Sequence, residues 1–247
     1  MAERIQEILA RQMQMAKEAE PTQESRRRLR GLKDLVERVA RSEARGWLTQ
    51  TEQLIEVRRF HPDQLAGLKE IKWTFNMEAL PVSVGQLLED ESIAPLFGFV
   101  NSSQQMRDVV PVARDVAVNP SELFILGSEN LSFDDQCQIN EGYVTGLRKR
   151  NLKTGTLDGI DFGLDHASVY AQFDFEHQKR FRGKKLFPAG KFARTIDETL
   201  VDPTFGPGLA DVGRRFGGSR LDVDDWGARR GYPRVRGVSV ATPAGNR

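Results

Sequence analysis

The chain has 247 residues, 39% of them hydrophobic and 29% charged, with a formal net charge of +1 and one cysteine, Cys137. That length supports one large or two small domains with a genuine core. No apolar run reaches the roughly 20 residues needed to span a bilayer, and a lone cysteine excludes an internal disulfide.

The small net charge hides a segregation. Residues 1–72 carry 15 basic and 12 acidic side chains, and residues 73–146 carry two arginines against 11 acidic groups. Residues 147–201 return to 11 basic and 7 acidic, and residues 202–247 hold eight arginines and five aspartates. An acidic centre between basic flanks predicts segments or subunits that meet by charge complementarity. The alternative is that folding intermixes the blocks.

The first residues lack the continuous apolar stretch of a signal peptide. With the single cysteine, this predicts an intracellular setting, cytoplasmic or inside an assembled particle, with no membrane partner. Ile5, Ile8 and Leu9 trace one face of a helix over 3–19. Pro21 interrupts it, and Thr22 restarts a second helix that Gly46 stops. A third helix spans about 48–59, and His61-Pro62 opens a fourth, with proline suited to a first helical turn. Residues 1–72 therefore read as a helical arm or bundle.

From Trp73 the pattern changes. Trp73, Phe75 and Met77 alternate with polar residues, as in a strand. Ser83 caps a short helix, Ser92–Val100 is apolar and irregular, and Ser102 or Ser103 caps a helix ending before Pro111. Val116 and Val118, then Leu123–Leu126, read as short strands around the Asn119-Pro120 turn. Over 132–150 a helix and a strand compete. Gly142 and Gly146 would each cost a helix about 1 kcal/mol, so a strand from about 138 to 148 is favoured. The clearest strand is Ser168–Lys185, where Val169, Ala171, Phe173 and Phe175 alternate with Tyr170, Gln172, Asp174 and Glu176. Phe192, Ile196 and Leu200, four apart, suggest a helix over 191–200. Residues 202–247 hold nine glycines and four prolines, which reads as an extended tail.

The expected fold is α+β: a helical N-terminal arm (1–72), a mixed core with a mainly antiparallel sheet (73–201), and an extended Gly/Arg-rich C-terminal arm (202–247).

Two constellations carry chemistry. Asp174 and Glu176, on one face of a strand, would lie about 7 Å apart. With His166 beside Asp165 as a general base, they form the catalytic alternative, a metal-dependent nuclease. Their spacing matches no metal motif, so no metal or cofactor is assigned, and the enzyme reading is the weaker one. The second constellation is basic: Lys179, Arg180, Arg182, Lys184 and Lys185, interleaved with Phe181 and Phe187. Arg148, Lys149 and Arg150 would join it if their strands paired. Arg214, Arg215, Arg229 and Arg230 form a second basic element, with Phe216, Trp226 and Tyr232 nearby. Cations with aromatics suit phosphates and bases, and arginine equally suits carboxylates on another protein. Because the whole chain is nearly neutral, protein partners are favoured over nucleic acid. The function read from this is a structural subunit of a larger, virion-like or similar particle, whose two arms contact neighbouring subunits. A nucleic-acid-binding protein is the alternative.

Overall fold

The structure, a computed structural model, describes residues 57–202 and 206–244. The helices expected over 3–19 and from Thr22 to Gly46 lie outside the described residues, as does most of the one expected over 48–59. Of that third helix, residues 57–59 are not helical, and Arg58 forms a β-bridge with Arg114.

The fourth helix, α1 (Pro62–Glu70), is present. The His61 side chain accepts from Asp63 N, Gln64 returns to the His61 N–H, and Pro62 takes the first turn. Strand β1 (Phe75–Ala79) buries Phe75, Met77 and Ala79. Ser83 caps α2 (Val84–Glu89) with a reciprocal Gln86 contact, a capping box. A 3-10 turn (Ala94–Leu96), β2 (Phe97–Val100), the single turn α3 (Gln104–Arg107) and β3 (Arg114–Val118) follow. Leu123–Leu126 is not a strand; Asn119 accepts from Ser121 N and Glu122 N and turns the chain into irregular structure.

Four further expectations are overturned. Residues 138–148 belong to a helix, α4 (Phe133–Arg148), capped by Ser132. Gly142 and Gly146 lie on its exposed side, and burial of Gln136, Asn140 and Leu147 outweighs their propensity cost.

After β4 (Ile160–Gly163), the segment read as the clearest strand is also a helix, α5 (Ala167–Arg180). It packs against β1 and also against β5 and β6, so its residues from Ala167 to Asp174 are all buried. Alternation there carries no information about a wet face, because Tyr170, Gln172 and Asp174 are buried too, each with a partner. Tyr170 donates to the Val238 carbonyl (2.9 Å), Gln172 bridges the backbone of Leu80 (2.7 and 3.1 Å), and Asp174 meets Arg214. The buried Val169 and Phe173 side chains contribute about 1.5–3 kcal/mol each.

Residues 191–200 are strand, within β5 (Lys191–Asp202). A four-residue spacing fits one side of a strand as well as one face of a helix, and Thr195, Ile196 and Thr199 favour the strand.

The fourth correction is the C-terminal arm, since residues 206–243 are folded into both sheets. β6 (Gly206–Arg214), β7 (Leu221–Gly227) and β8 (Val235–Arg236) join one sheet, and β9 (Val240–Pro243) enters the other. Several glycines read as looseness are points of close approach. A Cβ on Gly213 would strike the Lys191 carbonyl and the Phe192 ring.

The architecture is α+β as expected. One sheet, ordered β1-β3-β9-β4, is antiparallel throughout; the other, β2-β7-β6-β5-β8, is antiparallel at its centre and parallel at its two outer pairs. Each edge strand has a side chain seated on one of its carbonyls. Arg180 holds Asn76 O of β1 (2.6 Å) and Arg148 holds Ile160 O of β4 (2.6 Å). Arg107 holds Val100 O of β2 (3.1 Å), and Gln136 holds Val235 O of β8 (3.2 Å). Such plugs disfavour strand addition at the edges. Among the described residues, no helix is long and apolar enough to cross a membrane.

Candidate functional site

The carboxylate pair does not exist as a pair. Two residues apart on a helix, Asp174 and Glu176 point in different directions. Asp174 is fully buried: one oxygen accepts from Leu186 N (2.9 Å) and Phe187 N (3.3 Å), the other from Gln178 (2.7 Å) and Arg214. Glu176 sits nearer the surface, bonded to Arg180 (2.7 Å) and close to Lys179 (3.9 Å). Among the described residues no group of three or more His, Cys, Asp or Glu side chains is placed to hold a metal ion.

His166 has a partner that sequence adjacency concealed. Its Nδ1 lies 2.6 Å from Asp197 Oδ1, while Asp197 Oδ2 accepts from Ala167 N (2.6 Å). Asp197 thus caps α5 from a strand thirty residues away, and His166 supplies no side-chain cap of its own. Asp165 turns instead to Arg114 (2.5 Å). Burial by itself lowers the imidazole pKa, but the hydrogen bond and charge of Asp197, with Asp165, outweigh it and raise the value above 6.5. The dyad is that of an oriented base, but its carboxylate is accounted for by capping the helix. Asp197 was legible only as a carboxylate of unknown neighbour.

The basic residues form a real surface, built around Asp174. Helix α5 ends in two left-handed residues, Arg182 (φ 52°) and Gly183 (φ 84°), and Gly183 N returns to the Gln178 carbonyl at 2.7 Å. This is the hydrogen-bond pattern of a Schellman stop. His177 Nδ1 pins the Lys184 carbonyl (2.7 Å), and Asp174 holds the next two backbone N–H groups. The turn is therefore fixed from inside, leaving Phe181, Arg182, Lys184 and Lys185 exposed. Arg180 is committed to Glu176 and lies 5.2 Å over the Phe75 ring. Phe187, read as interleaved with this cluster, is fully buried.

The second basic element divides. Arg214 is buried; besides Asp174 it donates to the Ser219 carbonyl (2.6 Å), bracing the 215–220 turn. It is not a docking residue. Arg215 is exposed, pairs with Asp224 (3.1 Å) and Asp222 (3.6 Å), and lies 5.0 Å over the Phe99 ring. Arg229 and Arg230 are exposed in the loop after β7. The carbonyls of Gly227 and Arg230 instead face inward to Arg194 (3.4 Å each), whose guanidinium is fully buried with Asp211 at 3.3 Å. Burial pushes the Asp211 carboxyl well up, Asp224 and Asp225 add to the push, and Arg194 opposes it.

Asp174 also links the two elements in space: it binds the 186–187 backbone and Arg214 at once. Gly190, on which the Phe216 ring rests, is five residues from Lys185, so the two α-carbons are at most about 18 Å apart. The segment Arg148–Arg150, expected to join by strand pairing, ends helix α4 instead. It borders a shallow recess of about 270 Å³ lined also by Leu157 and Asp158.

In comparisons with protein-family models, with characterised proteins and with solved structures, the chain has no match.

Proposed function

We propose that this protein is a structural subunit of a larger assembly, docking onto an acidic face of a neighbouring copy through the basic turn after α5. The observation that carries this reading is unpaired cationic charge on a rigid turn. Among the described residues, Arg182, Lys184 and Lys185 have no carboxylate within ion-pair distance, while Arg59, Arg114, Arg180, Arg194, Arg214, Arg215 and Arg236 all do. Phe181 adds an exposed ring beside them. The same chain offers the complement in Asp134, Asp135 and Glu141 on α4, all three exposed. A basic patch meeting a different, acidic patch is a heterologous contact, which closes into rings or runs into filaments. Since the sheet edges are plugged, the contact is made by side chains and not by added strands. The C-terminal arm plays no part in this reading.

The test is native mass by light scattering on the full chain at low and high salt. Wild type is expected well above the 27.8 kDa monomer, and salt or a triple Arg182→Ala, Lys184→Ala, Lys185→Ala variant should lower it. A monomeric mass at every salt and protein concentration would sink the proposal.

A further inference from the structure

Phe216 is 68% exposed and Phe99 42%, yet neither ring is loosely held. Phe216 sits at the tip of the β6–β7 turn, braced by Arg214 below, and its ring edge occupies the space a Cβ would fill at Gly190. Arg234 lies 4.6 Å over that ring. Phe99 N donates to the buried Asp222 (2.7 Å), and a Cβ at the preceding Gly98 would collide with the same carboxylate. Arg215, fixed by Asp222 and Asp224, covers the Phe99 ring. Arg215 and Phe216 directly follow β6, so both stacks, Phe99 with Arg215 and Phe216 with Arg234, lie at the same end of that strand. Arg220 is exposed against Gly98, and among the described residues neither Arg220 nor Arg234 has an ion-pair partner.

Keeping two large rings both rigid and wet forgoes the burial that would stabilise the fold. Planar guanidinium and aromatic groups in sequence, with unpaired cations at their border, match what a single strand of nucleic acid requires. Bases stack on rings and on arginine planes, whereas lysine and arginine neutralise phosphates. We infer that the Phe99–Arg215–Phe216–Arg234 surface is a stacking platform for single-stranded nucleic acid. Phosphates run along Arg220 and Arg234 at its border. An acidic protein would satisfy the cations equally, so stacking of bases on the rings is what distinguishes the two.

The experiment separates stacking from charge. Fluorescence anisotropy on the full chain compares a labelled oligothymidylate with an abasic strand of equal length. Wild type should bind the base-bearing strand at least about five-fold more tightly, the lower end of one stacked base. A Phe99→Ala, Phe216→Ala variant should lose that preference, and Phe216→Trp should keep it. Arg220→Ala with Arg234→Ala should flatten the salt dependence by about 0.7 in log–log slope for each phosphate no longer neutralised. Basic residues elsewhere in the chain can bind either strand, but they do not distinguish base from abasic. Equal affinity for both strands in wild type, or a preference that survives removal of both rings, overturns the inference. So does a poly-glutamate peptide that displaces the oligonucleotide on an equal-charge basis. Light scattering of the two-ring variant should show the native mass of wild type, so failure here is distinct from failure of the assembly reading.

Discussion

Arginine does two unlike things in the C-terminal third of this molecule. Arg194 and Arg214 are fully buried against Asp211 and Asp174, while Arg182, Arg220 and Arg234 stand in water without a carboxylate partner among the described residues. A buried guanidinium cannot shed its proton, so it must be matched by charge and by carbonyls. Its removal or its partner's is felt by the whole fold. An exposed one is worth little to stability and is available for a partner. Composition treats the two alike, and that is why a segment rich in glycine and arginine reads as an arm when it is a sheet.

The contrast is broken most forcefully at Asp174. Asp174→Ala leaves Arg214 as an uncompensated buried charge and frees the backbone of Leu186 and Phe187. Stability should fall by about 3–5 kcal/mol in urea unfolding. Glu176→Ala, two residues on, should change it by no more than about 0.5 kcal/mol. Similar losses for both would mean that the two carboxylates are not divided between core and surface.

Arg194 and Asp211 sharpen the same point with a cycle. Each single replacement, Arg194→Met or Asp211→Leu, should cost about 3 kcal/mol, because it strands the other charge. The double replacement should return to within about 1 kcal/mol of wild type, since a buried ion pair offers little over apolar packing. Additive losses in the double variant would show that the pair is held by something more, such as the Gly227 and Arg230 carbonyls around the guanidinium.

The sequence made these regions unequally legible. α1, β1 and α2 could be read because each has a local signal on a half-buried element: Pro62 in a first turn, a Ser83 cap, a clean alternation. β3, buried over 116–118, was marked instead by its valines before the Asn119-Pro120 turn. α5 could not, because a helix contacting both sheets is buried from Ala167 to Asp174, leaving no wet face there for a period to mark, and its Tyr170, Gln172 and Asp174 are polar residues with partners 68, 92 and 40 positions away. The basic turn was visible as composition. Its division into committed and uncommitted cations was not, since that depends on which carboxylates the fold brings near. Phe99 gave no signal at all until Arg215 was placed over it.

Between the two extremes lies His166, partly exposed over the buried Asp197. Its folded pKa is raised above 6.5, so the charged pair contributes fully below that value. The contribution is lost as pH rises through the higher, folded value. Urea stability measured across that window should decline in wild type, by less than either buried pair is worth, and the decline should vanish in Asp197→Asn. A slope of opposite sign, or one that persists in Asp197→Asn, would place the titrating group elsewhere.

The smallest effect on stability is expected where the effect on association is expected to be largest. Replacing Arg182, Lys184 and Lys185 by alanine removes three charges that no described carboxylate engages, from a turn closed by backbone hydrogen bonds that the replacements leave intact. Arg182 adds one qualification, for its φ of 52° is a left-handed conformation that alanine also disfavours. The expected change is therefore within about 0.5 kcal/mol, read by urea unfolding under conditions where the protein is dissociated. A loss of several kcal/mol would mean that these cations are bound within the folded unit. The distinction between structural and available arginines would then have to be redrawn at this turn.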